Sequence, residues 1–358
     1  MIKIYLGTFL LYFLLAVVTG FLSWLSQLSK NKLIKEILIL VTTLPPAVVA
    51  GIRYEVGTDY SGYLTIFNGL WTTDNIEIGF YSLVDFIKVF TNNVQILFFI
   101  MAFITINFTL RGLFAYKEEI NIGVSMFTFM LTFYLTGLNI SRQLIAASIG
   151  FYAIQFIFKK RPIIFTLFVC VALMFHLSMI AIIPLYFIYT SRILRVNKIS
   201  IVALSILAIL LLFNLDIIAS FIASYIPQFQ SRIGYFIRKP NFDFTILGSI
   251  KDIMYIIPGF YIYQKYKTNE RFNFFLLIYI LSIIFGLAAN LYINTAINRI
   301  TIPLEMSLLY LVPYIVRKSY QNRNYLLLSS NIIIVIVIFY WDFFIMGFGE
   351  IVPFRTIF

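Results

Sequence analysis

The sequence predicts an all-α, polytopic integral membrane protein of about 11 membrane spans or half-spans, and three observations predict it. Of the 358 residues, 61% are hydrophobic and only 12% charged, whereas a soluble domain is roughly half apolar and roughly a quarter charged. Apolar runs approaching the roughly 20 residues that cross a bilayer recur along the whole chain. The remaining charges are bunched between those runs. One aqueous core could not bury so much apolar surface. That excludes a soluble enzyme and a secreted disulfide scaffold. The lone cysteine, Cys170, sits inside an apolar run and has no partner for an intramolecular disulfide. The formal charge of +12 reads first as a topology signal, so no nucleic-acid partner is expected.

The first run, near 4–25, lacks a small-residue cleavage site and is read as a retained span. Further runs lie near 33–52, 94–115, 121–138, 144–158, 162–190, 199–224, 252–263, 272–293, 300–316 and 325–347. They form a single transmembrane domain over 1–358 with no internal repeat. Each long span is helical because lipid offers no partner to backbone polar groups.

Six short connections are densely basic: Lys30, Lys32 and Lys35; Arg111 and Lys117; Lys159, Lys160 and Arg161; Arg192, Arg195 and Lys198; Lys265, Lys267 and Arg271; Arg317, Lys318 and Arg323. They hold 17 of the 27 Lys and Arg residues. Short basic loops stay cytoplasmic, and strict alternation then fails only at 162–190. This run of 29 residues would be about 43 Å long as one helix. A re-entrant pair of half-helices, with its apex at Phe175-His176-Leu177-Ser178, restores the alternation. One long tilted span with inverted topology downstream is the alternative.

This topology leaves an outer loop at 53–93, another at 225–250, and several arginines facing outward. Outward arginines at span ends run against the topological bias, and an anionic ligand at that depth would account for them. The 53–93 loop opens with Arg53, Glu55 and Asp59 interleaved with Tyr54, Tyr60 and Tyr63. Aromatic faces with carboxylates suit a sugar site, and Tyr60, Tyr63 and Gln143 are the sugar-binding candidates. An ordinary turn with interfacial tyrosines fits equally well. Farther on, Phe80, Leu83, Val84, Ile87 and Phe90 lie at helical spacing opposite Glu77, Tyr81, Asp85 and Lys88, which predicts an interfacial helix.

Arg142 follows Asn139-Ile140-Ser141 at the start of a predicted helix. A guanidinium fork beside free N-terminal N–H groups suits a diphosphate. Arg299, Arg53, Arg232 and Arg238 are the further diphosphate candidates. His176 is the only histidine and falls at the predicted helix break. It titrates near neutrality and ranks first as a catalytic base, ahead of Glu77 and Asp59. No cofactor is expected. The sequence has no Asp-x-Asp, no Cys/His metal spacing and no Gly-rich phosphate loop.

Taken together, Gly51-Ile52-Arg53-Tyr54 with Gly57-Thr58-Asp59-Tyr60, Ile76-Glu77-Ile78-Gly79-Phe80, Ser141-Arg142-Gln143-Leu144, Phe175-His176-Leu177-Ser178 and Asn298-Arg299 resemble the EpsG family. That family lies within the Wzy-type polysaccharide polymerases. Val352-Pro353-Phe354-Arg355 adds to the likeness, with Phe where Tyr is expected. The resemblance implies a GT-C-like, metal-independent glycosyltransferase of the bacterial inner membrane with its site facing the periplasm or outside. It implies substrates that are oligosaccharides linked to undecaprenyl diphosphate, and a chain-length regulator and a flippase as partners. A lipid-linked glycan ligase and a flippase or transporter are the alternatives.

Overall fold

The computed structural model describes residues 2–70, 76–191, 247–291 and 295–358, with scattered helical positions between 202 and 224. The outer loop expected at 225–250, with Arg232 and Arg238, lies almost wholly outside the described residues, as do the basic cluster 192–198 and most of the run 199–224. Among the described residues the chain is helical without strands. A β-bridge among these residues joins Arg53 to Thr356.

Two compact units divide the chain, one of residues 1–180 and 312–358, the other of residues 181–311. The first unit opens with α1 (Ile2–Leu28), α2 (Lys32–Ile52), α3 (Tyr60–Phe67), α4 (Ile78–Lys88) and α5 (Val94–Leu113). After α6 (Ile122–Phe129) the helix widens into a π-turn at Met130–Tyr134 and continues as α7 (Leu135–Asn139). Next come α8 (Ser141–Phe158) and α9 (Pro162–Leu173). Asparagines start several of these helices. The Asn31, Asn93 and Asn121 side chains each accept from backbone N–H groups in the following turn, which satisfies donors that a helix start otherwise leaves unpaired.

In the second unit, α10 (Ile183–Thr190) is followed by α11 (Leu247–Lys265), α12 (Glu270–Leu291) and α13 (Thr295–Glu305). α12 packs on α11 and α13. α14 (Leu308–Gln321) is divided between the units at Val312. The first unit closes with α15 (Tyr325–Tyr340), a π-turn at Trp341–Ile345, and a tail.

Seven of the described helices are long and apolar enough to cross a membrane, which makes this a multi-pass membrane protein. The run 144–158 is not among the seven, and packing explains why. α8 is buried from Ser141 to Ile157 almost without interruption, with Ser148 and Gln155 inside. A helix surrounded by protein needs less hydropathy than one facing lipid. α1 shows the opposite case, with Leu6, Leu10, Leu14, Val17 and Phe21 all exposed. At its crossing with α6, a Cβ on Gly20 would lie 2.9 Å from the Gly123 carbonyl oxygen. Close crossings on small residues are the usual way membrane helices gain contact.

The run 162–190 is not one helix. α9 stops at Leu173, His176 lies in the break, and a 3-10 segment starts at Leu177.

Polar contacts in the first unit gather at its two ends. At one end the Arg111 guanidinium meets Glu36 at 2.7 Å. There too the Gln27 amide donates to the Lys117 and Ile120 carbonyls, and Arg317 donates to the Glu118 carbonyl. Arg111, Lys117 and Arg317 belong to the basic clusters. At the other end the tail folds back over the 53–58 loop. Tyr54 N–H donates to the Arg355 carbonyl, Gly57 N–H to Glu350 and Thr58 N–H to Gly349. The Tyr12 hydroxyl donates to the Ile351 carbonyl across 339 residues of sequence.

The 53–93 loop holds two helices where the apolar spacing predicted one. α3 is only eight residues long, too short to show a periodic signal. α4 buries Phe80, Val84 and Ile87 as expected. Phe90, expected on the same face, is 74% exposed because the helix ends at Lys88. The first turn of α4 rests against the break after α9, where Gly79 N–H donates to the Met174 carbonyl at 2.7 Å. A Cβ on Gly79 would stand 2.7 Å from that oxygen and 2.8 Å from Met174 Cβ. Gly79→Ala is therefore expected to cost about 1–3 kcal/mol through overpacking. The readout is a lower melting temperature in detergent, and an unchanged value would show that this contact is loose.

Candidate functional site

The break between α7 and α8 gathers the sequence-predicted residues of the first unit. Ile140, at φ −91° and ψ 47°, ends one helix and starts the next. Three side chains around that break each hold a different segment.

Asn139 holds the 58–59 turn. Its Oδ1 accepts from Thr58 Oγ1 at 2.7 Å and from Asp59 N–H at 2.8 Å. Asp59 itself is exposed at the start of α3.

Arg142 holds Glu77. Its Nη1 lies 2.8 Å from Glu77 Oε2, with the two side chains 27% and 17% exposed. The guanidinium also stands over the Phe80 ring, 5.4 Å from its centroid. Arg142 N–H, an orphan donor of the α8 start, is taken by the Tyr63 hydroxyl at 3.2 Å. Burial pushes the Tyr63 hydroxyl pKa up, and the Arg142 charge opposes that shift. The phenol thus stays neutral at physiological pH. A partly exposed arginine held in place by a carboxylate, a ring and a helix start keeps its positive charge directed at one spot.

Gln143 holds the His176 segment. Its Nε2 donates to Ser178 Oγ at 3.4 Å. Ser178 Oγ lies 2.8 Å from His176 Nδ1, and Ser178 N–H donates to that same nitrogen at 3.1 Å. A backbone N–H can only donate, so Nδ1 accepts. The neutral ring then carries its proton on Nε2.

Arg53 lies beneath this layer. It is 1% exposed and donates to the Leu138 carbonyl, with its guanidinium 4.2 Å from the Phe98 ring centroid and 5.9 Å from that of Tyr60. Burial lowers its pKa to about 10, partly offset by the surrounding tyrosines. It therefore stays charged at neutral pH. Its Nε finds no partner among the described residues. A void of about 20 Å³, room for one water, lies against Arg53, Tyr134 and Ser141. Arg53 thus stands behind the Asn139–Gln143 turn, with its charge committed to protein groups. Tyr60 and Tyr63 are buried too. Tyr60 stacks on Phe98 at 5.0 Å, and Tyr63 meets Phe80 edge-on at 5.7 Å.

Arg299 is in the second unit, exposed on α13. Among the described residues no three of His, Cys, Asp and Glu come together in a group that could hold a metal ion. The sequence reading missed Asn139 as a clamp, Ser178 as the partner of His176, and the tail that pairs with the 53–58 loop. Asn139 precedes one motif that was singled out, and Ser178 belongs to another. The tail's role is carried by backbone carbonyls, which leave no sequence signal.

No curated protein matches this chain, and no solved structure does. The model of the EpsG family matches residues 36–356, nearly the whole chain. That span includes every segment just described around the Asn139–Gln143 turn, and the chain belongs to the EpsG family, a Wzy-like polysaccharide polymerase family.

Proposed function

We propose that this protein is a GT-C-like, metal-independent polymerase that moves a growing glycan from undecaprenyl diphosphate onto a sugar hydroxyl of a lipid-linked repeat unit. The proposal sets it in the bacterial inner membrane, with about 11 spans or half-spans and the 162–190 segment re-entrant. The site then faces the periplasm or outside. Charge supports that orientation. The end of the first unit with Arg111, Lys117, Lys159 and Arg317 is the basic one, and short basic loops stay cytoplasmic. The Arg142 end is opposite.

The observation that carries the reading is the convergence on one turn of a clamped arginine, its carboxylate, a second acid and a histidine. In the reaction the acceptor hydroxyl oxygen forms a bond to the anomeric carbon. The bond from that carbon to the diphosphate oxygen breaks, and its electron pair leaves with the diphosphate. Arg142 offsets the charge that develops there. Arg299, Arg232 and Arg238 are the further cations proposed for the diphosphate, and Arg53 positions the turn from behind. The hydroxyl proton needs an acceptor within reach. With Nδ1 accepting from Ser178 N–H, neutral His176 carries its proton on Nε2 and acts as a donor there, so the base role passes to Glu77. Glu77 Oε2 is engaged by Arg142, which leaves Oε1 for the proton. Asp59 is the second candidate. Tyr60, Tyr63 and Gln143, all buried, are proposed as the sugar-site residues and would back the site from behind.

The deciding experiment is the glycan made by a deletion strain. Single repeat units would support the polymerase, whereas lipid-linked full-length chains would indicate a ligase and unflipped units a flippase. Dependence on a chain-length regulator and a flippase is expected in the intact pathway. The role of His176 has its own test. His176→Gln keeps an N–H donor and is expected to retain measurable polymerisation, with an unchanged pH profile. His176→Ala is expected to lose about 10- to 100-fold, the cost of one hydrogen bond to a charged group. Equal loss in both variants, with the acid limb of the pH profile abolished, would return the base role to His176.

A further inference from the structure

At the end of the first unit opposite Arg142, a cavity of about 290 Å³ opens between α2, α5 and α8. Lys35, Arg111 and Lys159 line it, with Glu36 as its only carboxylate, so the lining carries a net charge of +2. We infer that this cavity is a binding site for a phosphate group, presented by an anionic lipid headgroup of the adjacent leaflet.

The simplest competing account is that these cations only cap helix ends, since Arg111 and Lys159 stand at the ends of α5 and α8. Their contacts do not fit it. Arg111 Nε donates to Asn107 Oδ1 and Nη2 to Glu36, both side-chain acceptors. Lys159 Nζ donates to Gln155 Oε1 at 2.7 Å. None of these bonds reaches a terminal carbonyl. Lys35 stands 5.5 Å from the Phe114 ring centroid and pairs with no carboxylate among the described residues. The neighbouring side chains thus hold each cation at the rim without neutralising the set.

Three cations from three helices converge there on one concave space. A dianionic group would balance them, whereas a zwitterionic headgroup would not. Basic pockets between spans at the cytoplasmic face suit lipid phosphates on general electrostatic grounds. Two phosphodiesters joined in one headgroup, as in cardiolipin, supply the matching charge. The inference rests on the membrane reading alone and does not depend on the chemistry at Arg142.

The test uses the full chain purified in neutral detergent, with melting temperature as the readout and cardiolipin, phosphatidylcholine or inorganic phosphate added. Cardiolipin is expected to raise the melting temperature and phosphatidylcholine to leave it unchanged. The double variant Lys35→Gln/Lys159→Gln is expected to bind cardiolipin roughly thirtyfold more weakly, from the contribution of each lysine near a membrane surface. The control Lys30→Gln/Lys160→Gln removes the same charge outside the cavity and is expected to keep the shift. A shift from inorganic phosphate that disappears in the first variant but not in the second would support the site with the free ion as its source. An equal cardiolipin response in both variants, or no response in the unaltered protein, would overturn the site.

Discussion

Arg142→Ala is expected to abolish polymer while leaving the protein inserted and folded, with a loss of about 10²- to 10³-fold, the scale for removing one preorganised donor from developing negative charge. The structure explains why the loss should fall on the reaction more than on stability. The side chain is partly exposed and bonds Glu77 through one terminal nitrogen. The segment it occupies is held independently by Asn139 and Gln143. Arg142→Lys should rescue poorly, because an ammonium lacks the planar fork that can bond Glu77 and a diphosphate oxygen together. The assay is glycan length on a gel, beside a membrane-fraction blot for insertion. Full-length polymer from the Ala variant would remove Arg142 from the site.

Glu77→Gln is expected to be nearly as severe, about 10²- to 10⁴-fold, the range for a lost general base. Glutamine keeps the size of the side chain and an oxygen that Arg142 can still bond. A residue that merely positioned Arg142 would therefore tolerate the change with a modest loss and an unaltered pH profile. Loss of the acid limb in the pH dependence of the residual activity marks the proton role. If Glu77→Gln behaves mildly while Asp59→Asn abolishes polymer, the base is Asp59.

The long apolar runs were legible because hydropathy alone dictates them. The break before His176 was legible because a polar pair interrupts an overlong run. Arg142, Glu77 and His176 could each be singled out, but not the fact that they meet. What joins them is the turn at Ile140, where α7 gives way to α8, and contacts 35 to 81 residues apart in sequence. Arg53 shows the limit most clearly. As an arginine at a span end it reads as a ligand for an outside anion, yet it is buried against the Leu138 carbonyl. A backbone acceptor looks the same whatever residue carries it. α8 escaped in the opposite direction, since protein packing on all sides replaced the hydropathy that a lipid-facing helix requires.

The tail has a consequence for how the site comes into being. The N–H groups of Tyr54, Gly57 and Thr58 find their acceptors at Arg355, Glu350 and Gly349, which are synthesised long after them. During synthesis the loop that carries Asp59 is delivered early and then waits, its backbone hydrated and unpaired, while the later helices are threaded into the bilayer. Only synthesis of the 349–355 segment supplies the missing partners. A product truncated before residue 349 can therefore be inserted and still lack an ordered site, which ties the onset of activity to the arrival of the 349–355 segment.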